Sequence, residues 1–531
     1  MPHHLDHLGI VPIDKLQFLW EECRPNILVV TDGLNYHAND GFGLTRFVDR
    51  LRATPVDGML PKVTTASLGA STGADLESFN FTTANNGLTI GRYDVVFLFG
   101  VAGETVPAQA GSVDAIKRFM QAGGGVFATG DHEDLGASMC SSIPRVRKMR
   151  YWLKAETPNV ANQNRLSTNL SGADPIFTFN DQSDEFPQRL YANYNGVNQG
   201  PLVIWPFPFP PSRVQSAHPL VRLGGGAVLD VFPDHPHEGE CRIPPDSSGT
   251  FNLDGGSIQE WPGGPFFWGN PFPVEVAKTM SFGNGFDFGP TGPKSAVTPR
   301  GFIAIAAYDG HFANVGRVAT DATWHHFINI NLDGTGSSGR TALMPGGVAS
   351  PDLIKIEQYY SNLMTWLMPV NKRQCLRILR VISELKLYPL FEEIRIPQLD
   401  TAKVDELIAL GQQFAFVLDQ RETGAEGREF AMQTLTGTLS NRAKVLDQLG
   451  PDDLSGALAD LAFAGLGAVV SSVVESVLDA IKMAKSDKDL VIKHNALLKT
   501  SSERAVKVVA AAIERRREQL QSEEKVLAAL A

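Results

Sequence analysis

The most concentrated chemical signal in this sequence is a short segment rich in histidine and acidic residues. Residues 233–240 read Pro-Asp-His-Pro-His-Glu-Gly-Glu, so His235, His237 and Glu238 stand close together. Imidazole nitrogens and carboxylate oxygens bind zinc, manganese and iron in proteins. Two histidines separated by one residue on an extended segment point to the same side. The segment predicts a divalent metal site; a polar site without a metal and a turn stiffened by Pro236 are the alternatives.

A second group of polar residues follows short apolar runs that are typical of buried parallel strands. Its members are Asp32, Asn35, Glu104, Asp131, His132, Glu133, His311, Trp324, His325 and His326. In an open α/β sheet, ligands bind beyond the carboxyl ends of the strands. We therefore expect these side chains to share one sheet edge and form a candidate site. Helix caps and turns are the alternative explanation for any single member.

The members of this group have different expected roles. Asp131 and His132 are the candidate general acid and base. His325 or His326, from the last of the runs, would orient or protonate the substrate. The candidate substrate-binding residues are Asp32, Asn35, Glu104, Glu133, His311 and Trp324.

Covalent catalysis is not favoured, because the turn after the run 124–130 carries no nucleophile. Position 131 is an aspartate, Cys140 stands nine residues later, and the sequence has no G-x-S-x-G elbow. It also lacks a Walker A motif and a G-x-G-x-x-G motif after a strand, so no nucleotide cofactor is predicted.

The composition excludes several classes of protein. The 531 residues are 43% hydrophobic and 20% charged, which is typical of globular chains and not of disordered or fibrous ones. Lysine and arginine number 47 against 58 aspartates and glutamates, for a net charge of −11. This acidic balance disfavours nucleic acid and anionic membranes as partners. We expect a small-molecule ligand.

The cysteines and the first residues bear on the cellular compartment. Cys23, Cys140, Cys241 and Cys375 are widely spaced and form no C-x-x-C pair, so neither a disulfide scaffold nor a cysteine-based zinc module is expected. The N-terminal residues show no basic start followed by an apolar run, as a secretory signal would. These features predict a cytoplasmic, reducing location.

The chain divides near residue 370. Residues 371–531 contain only 8 of the 50 glycines and 3 of the 33 prolines, which favours a helical region after a loop-rich body. Within the body, residues 140–298 form a loop-rich insertion with aromatic and proline runs. The body predicts an α/β domain over 1–370, and the tail a helical domain over 371–531.

The body alternates strand-like and helix-like segments. The apolar runs are 26–33, 62–68, 93–100, 124–130, 301–308 and 317–324, and the helical patterns cover 43–53 and 112–122. Such alternation predicts right-handed crossovers and a flavodoxin-like, doubly wound, mostly parallel sheet with helices on both faces.

The tail contains an apolar stretch, residues 461–474, between Asp460 and Glu475. It is shorter than the roughly 20 residues of a membrane span, so it predicts a buried helix of a bundle. The tail would then mediate homo-oligomerisation or docking of a protein partner. Membrane engagement after a conformational change is the weaker alternative.

The order of these motifs resembles the class I glutamine amidotransferase-like superfamily, and most closely its trehalose-utilisation (ThuA-like) branch. The resemblance covers about residues 24–135 and 298–332. That superfamily carries a catalytic cysteine after the glycine-rich strand, where this chain has Asp131, and a histidine after a late strand, where it has His325 and His326. The resemblance thus implies no glutaminase activity and, by analogy with the branch, a carbohydrate-related substrate.

The sequence as a whole predicts a hydrolase or lyase that acts on a small polar substrate at the strand-end cleft, with or without a divalent metal. A non-enzymatic ligand sensor or assembly protein, acting through the helical tail, is the alternative.

Overall fold

The computed structural model describes residues 21, 23–131, 134–153, 156, 188–192, 217–223, 227–233, 239–262, 272–281, 300–336, 342–373, 375–376, 402–421 and 460–472, with isolated positions between 507 and 522.

The described part of the body is built on a nine-stranded mixed sheet and a separate hairpin. In chain order the strands are β1 (Asn26–Thr31), β2 (Lys62–Ser67), β3 (Val95–Phe99), β4 (Gly125–Thr129), β5 (Gln188–Ala192), β6 (Val231–Phe232), β7 (Thr250–Leu253), β8 (Gly256–Gln259), β9 (Val274–Ser281), β10 (Arg300–Tyr308) and β11 (Val318–Asp321). The spatial order is β2-β1-β3-β4-β11-β10-β9-β5-β6, and β7 pairs with β8. The first five strands in this order are parallel, and the others add antiparallel.

Helices cover both faces of the sheet. In chain order they are α1 (Thr45–Ala53), α2 (Ser112–Gln121), α3 (Ala137–Cys140), α4 (Asn329–Leu332), α5 (Pro351–Leu367) and α6 (Val404–Arg421). Alternate residues of β1 serve the two cores: Ile27 and Val29 share one with α1 and α5, whereas Leu28 and Val30 share the other with α2. Burial of both faces explains why the central strands are continuously apolar. The predicted α/β class with a mostly parallel sheet is confirmed.

One strand runs opposite to the expected direction. β10 is antiparallel to β11, with Tyr308 opposite Val318 and Ile305 opposite Asp321. The link of residues 309–317 is too short for the crossover of about a dozen residues that a parallel pair requires. The end of β10 therefore lies at the opposite sheet edge from the ends of β4 and β11. An apolar run alone does not reveal strand direction.

One pair of cysteines is bonded, although the two residues lie far apart in the sequence. Cys23 and Cys375 form a disulfide across 352 residues of sequence, with their Cα atoms 5.8 Å apart. Cys140 and Cys241 are free and buried. The bond links the segment before β1 to the segment after α5, where Lys372 also donates to the Arg24 carbonyl. The predicted cytoplasmic location stays a prediction.

The described parts of the tail are helical, as predicted. Residues 460–472 form a largely buried helix that packs closely on α6. Glycine makes the approach possible: a Cβ at Gly411 would collide with the Phe463 carbonyl, and one at Gly467 with the Leu407 carbonyl. In the part of the chain that is described, no helix is both long and apolar enough to cross a membrane.

Candidate functional site

The site begins at the turn that follows β4. Asp131 is fully buried, and its backbone N–H donates to the Leu135 carbonyl at 3.0 Å, which closes the turn. Gly136 has a φ of 96°, a conformation that favours glycine, and its Cα lies against Gly100 and Gly130. These glycines let the loops after β3 and β4 approach each other at the carboxyl edge.

Asp131 pairs with a histidine from the segment after β11. His325 Nε2 lies 3.3 Å from Asp131 Oδ2. Thr323 holds both partners: its hydroxyl donates to Asp131 Oδ1 at 2.7 Å and accepts the His325 backbone N–H at 3.0 Å. The same Thr323 hydroxyl caps a 3-10 turn over Trp324–His326. We call Asp131 and His325 the rim pair.

Aromatic rings surround the His325 imidazole. Trp324 stacks on it with ring centroids 3.9 Å apart, and the Phe42 ring lies 6.2 Å away, edge-on. Phe42 is 48% exposed, whereas His325 is 6% exposed. The rim pair therefore lies just beneath a half-exposed aromatic side chain, near the protein surface.

The neighbouring histidine has a different environment. His326 Nδ1 lies 2.6 Å from Asp321 Oδ1, and the Tyr359 hydroxyl donates to Asp321 Oδ2 at 2.8 Å. Phe232 stacks on the His326 ring at 4.1 Å. Asp321 and His326 are both fully buried, and we call them the sealed pair. Burial, then the nearby Asp321 carboxylate, raises the pKa of Tyr359, so its hydroxyl stays a donor. The structure places His326 in the core, and its predicted catalytic role stays a prediction.

A third carboxylate, Asp32, follows β1 at the same sheet edge. It accepts the backbone N–H groups of Val101 at 2.5 Å and Ala102 at 3.2 Å, which fixes the loop after β3. Burial raises the pKa of Asp32 to about 6, although these two hydrogen bonds lower it. A carboxyl group that titrates near neutral pH suits acid–base work.

The other predicted residues of this edge lie in turns. Asn35 Oδ1 accepts the backbone N–H of His37 at 3.0 Å, as in an Asx turn. The Glu104 side chain is exposed, and its backbone N–H donates to Asp134. Their predicted role in substrate binding stays a prediction.

His311 does not lie with the others. Because β10 is antiparallel, His311 lies at the opposite edge, where burial lowers its pKa well below the ordinary value. Grouping it with Asp131 was wrong, since strand direction decides which edge a strand end occupies.

Several predicted residues fall outside the described part of the chain. They are His132, Glu133, His235, His237 and Glu238. Within the described residues, no three His, Cys, Asp or Glu side chains come together as a metal-binding group. The predicted metal segment stays a prediction.

Sequence reasoning missed the residues that hold the histidines in place. Asp321 and Thr323 stand in the same run as His325, and a threonine two residues before a histidine is a turn signal that could have been read. Phe42 and Tyr359 come from distant segments, and nothing local in the sequence marks them.

Comparison with known proteins adds no identification. No family model matches this sequence, and no curated protein matches it. The geometry of the rim pair is therefore the main basis for a functional conclusion.

Proposed function

We propose that the chain is an enzyme, a hydrolase or lyase, that acts on a small polar substrate at the carboxyl edge of β4 and β11. The observation that carries the proposal is the 3.3 Å approach of His325 Nε2 to Asp131 Oδ2 beneath the half-exposed Phe42. In this proposal the imidazole is the general base and acid. Asp131 orients it and stabilises its protonated form.

We favour water as the nucleophile because the turn after β4 carries an aspartate, Asp131, and no serine or cysteine nucleophile. Asp131 stands where a nucleophile would be activated, and its carboxylate instead contacts Thr323 and His325. His325 would remove a proton from water or substrate and return it to the leaving group. This proposal pairs Asp131 with His325. The predicted role of His132, which lies outside the described residues, stays a prediction.

A metal is an optional part of this proposal. His235, His237 and Glu238 offer a donor set suited to zinc, manganese or iron. Such an ion would polarise a carbonyl or lower the pKa of a bound water. The acid–base roles of Asp131 and His325 do not depend on it.

The strand order supports the proposed flavodoxin-like relationship. The five parallel strands follow the order β2-β1-β3-β4-β11, which parallels the 2-1-3-4-5 order of flavodoxin-like sheets. The resemblance to the ThuA-like branch adds a carbohydrate-related substrate by analogy only.

A ligand sensor is the second candidate function. Its support is the low exposure of His325, which is 6%. A ligand would reach this histidine only after the covering side chains rearrange, and such a rearrangement can signal binding without any chemical conversion of the ligand. The closely packed tail helices would then transmit the change to an oligomer or a partner.

The test is a screen of sugars and esters with the purified chain and two variants. His325→Gln removes the proposed acid–base group, and His37→Gln is the matched control on an exposed histidine. Loss of general acid–base catalysis costs about 10²–10⁴-fold in turnover. We expect such a loss in His325→Gln and none in His37→Gln. Unchanged turnover in His325→Gln would refute the proposal, and binding without turnover would favour the sensor.

A further inference from the structure

A buried arginine lies directly behind the rim pair. Arg150 is fully buried, and its Nη2 donates to the carbonyl oxygens of Asp131 at 2.5 Å and Ala322 at 2.8 Å. Its Nη1 donates to the Tyr151 carbonyl at 2.8 Å. One guanidinium nitrogen therefore joins Asp131, in the turn after β4, to Ala322, the residue that precedes Thr323.

The surroundings are shaped to hold this guanidinium in place. Trp152 stacks beneath it, with the guanidinium carbon 4.6 Å from the ring centroid. A Cβ at Gly239 would collide with Arg150 Nη2, and one at Gly130 would lie 3.1 Å from Nη1. The absence of side chains at these two glycines provides the space that the planar group occupies.

The position of the charge matters as well as the hydrogen bonds. Burial lowers the pKa of Arg150, while Cys241, Asp131 and Asp321 oppose that effect. A cation close to the Asp131 carboxylate favours its ionised form. An ionised Asp131 is the form that stabilises a protonated His325.

We propose that Arg150 is the positioning residue of the rim pair: by binding the carbonyl groups of Asp131 and Ala322 with one nitrogen, it sets the distance between Asp131 and His325. This inference rests on the proposed function, because it assigns Arg150 a role in the same acid–base pair. Arginine suits the role since the nitrogens of its rigid fork reach the Asp131, Ala322 and Tyr151 carbonyl groups at once, whereas lysine offers a single nitrogen on a flexible stem.

The experiment measures the influence of Asp131 on His325 without needing a substrate. The full chain is labelled at histidine Cε1, the His325 signal is assigned by its loss in His325→Gln, and its pKa is followed by NMR. The effect of Asp131→Asn is measured in wild type, in Arg150→Lys and in Arg145→Lys. Arg145 is the matched control, because it is equally buried but binds Gln121 and the Glu260 carbonyl. Asp321, His326 and Tyr359, which are titratable groups near the pair in the described part of the chain, are the same in all chains.

The proposal predicts a clear pattern. Asp131→Asn should lower the pKa of His325 by about 1 or more in wild type, since an adjacent carboxylate favours the protonated imidazole. The same substitution should lower it by less than half as much in Arg150→Lys and by the full amount in Arg145→Lys. Gly239→Ala, which crowds Nη2 while keeping the arginine, should also reduce the effect and serves if Arg150→Lys does not fold.

Two results would overturn the inference, and they are distinguishable. A full effect of Asp131→Asn in both Arg150→Lys and Gly239→Ala would refute the positioning role alone. No effect of Asp131→Asn in wild type would refute the rim pair, and with it both the proposed function and the role of Arg150.

Discussion

Two carboxylate–histidine pairs stand side by side in this protein, built on consecutive histidines. In the sealed pair, Asp321 and His326 approach to 2.6 Å in the core beneath Phe232. In the rim pair, Asp131 and His325 stand 3.3 Å apart beneath the half-exposed Phe42. The 3-10 turn over Trp324–His326 sends the two rings to different partners. The same residue types thus serve stability in one place and, in our proposal, chemistry in the other.

The largest expected effect separates the two carboxylates by their contribution to stability. Asp321 accepts three donors, from His326, Tyr359 and the Thr323 backbone, and an asparagine has only one oxygen to offer them. We expect Asp321→Asn to lower the free energy of unfolding by about 3 kcal/mol. Urea denaturation measures this.

The matched variant for that measurement is Asp131→Asn. Its amide oxygen can still accept the Thr323 hydroxyl, so we expect a loss of about 1 kcal/mol or less. If the two variants lose equal free energies of unfolding, the two pairs contribute equally to stability and this comparison is wrong.

The next prediction concerns the Tyr359 hydroxyl, which donates to Asp321 of the sealed pair. Tyr359→Phe removes the donor to Asp321 Oδ2 and leaves the ring in place. Since hydrogen bonds to charged groups contribute about 1.5–3 kcal/mol, we expect a loss near the lower figure. Thermal unfolding with Tyr191→Phe, an exposed tyrosine, as control would measure it. If the two variants melt alike, Tyr359 does not stabilise the pair.

These pairs also mark how far the sequence could predict the molecule. Apolar runs correctly predicted the strands β1, β3 and β4, because a strand buried on both faces is continuously apolar. Helical periodicity correctly predicted α1 and α2, because a helix buried on one face carries apolar residues at a regular spacing. The direction of β10 was not predictable from its apolar run, although its short link to β11 was informative.

The site was predictable only in part. Asp131 and His325 were singled out, but the choice between His325 and His326 depends on how Thr323 caps a single turn. Arg150 and the Cys23–Cys375 bond join segments that are far apart in sequence. Contacts of that kind follow from the assembled fold and leave no local signal.

A smaller effect concerns a third histidine, which has no carboxylate pair at all among the described residues. Burial holds the pKa of His311 well below 6.5, so the unfolded chain binds a proton that the folded chain does not. This depressed pKa costs stability as the pH falls below 6.5, by about 1 kcal/mol at pH 5.5.

The check is His311→Leu, which should lose stability less steeply between pH 7 and 5.5 than wild type in urea unfolding. His37→Gln, at an exposed position, is the control and should follow wild type. An unchanged slope in His311→Leu would show that His311 is protonated equally in both states.

A further effect concerns Asp32, a carboxylate that is partly exposed, whereas Asp131 and Asp321 are fully buried. Its pKa is raised to about 6 from 3.8, so the folded chain binds the proton more tightly than the unfolded chain. Its contribution to stability is full below pH 3.8 and is lost as the pH rises through about 6. Asp32→Asn should therefore be more stable than wild type by about 3 kcal/mol at pH 8, and no more stable at pH 4. An equal gain at both pH values would contradict the raised pKa.

The measurement that tests the central comparison most directly is an NMR titration of the two neighbouring histidines in one wild-type sample. The Cε1 signals of His325 and His326 would be assigned by single His→Gln substitutions and followed from pH 5 to pH 9. Our account predicts that the His325 signal moves with pH, as an acid–base group at the rim must, while the His326 signal stays fixed as long as the protein remains folded. A fixed His325 signal, or two signals that move together, would contradict it.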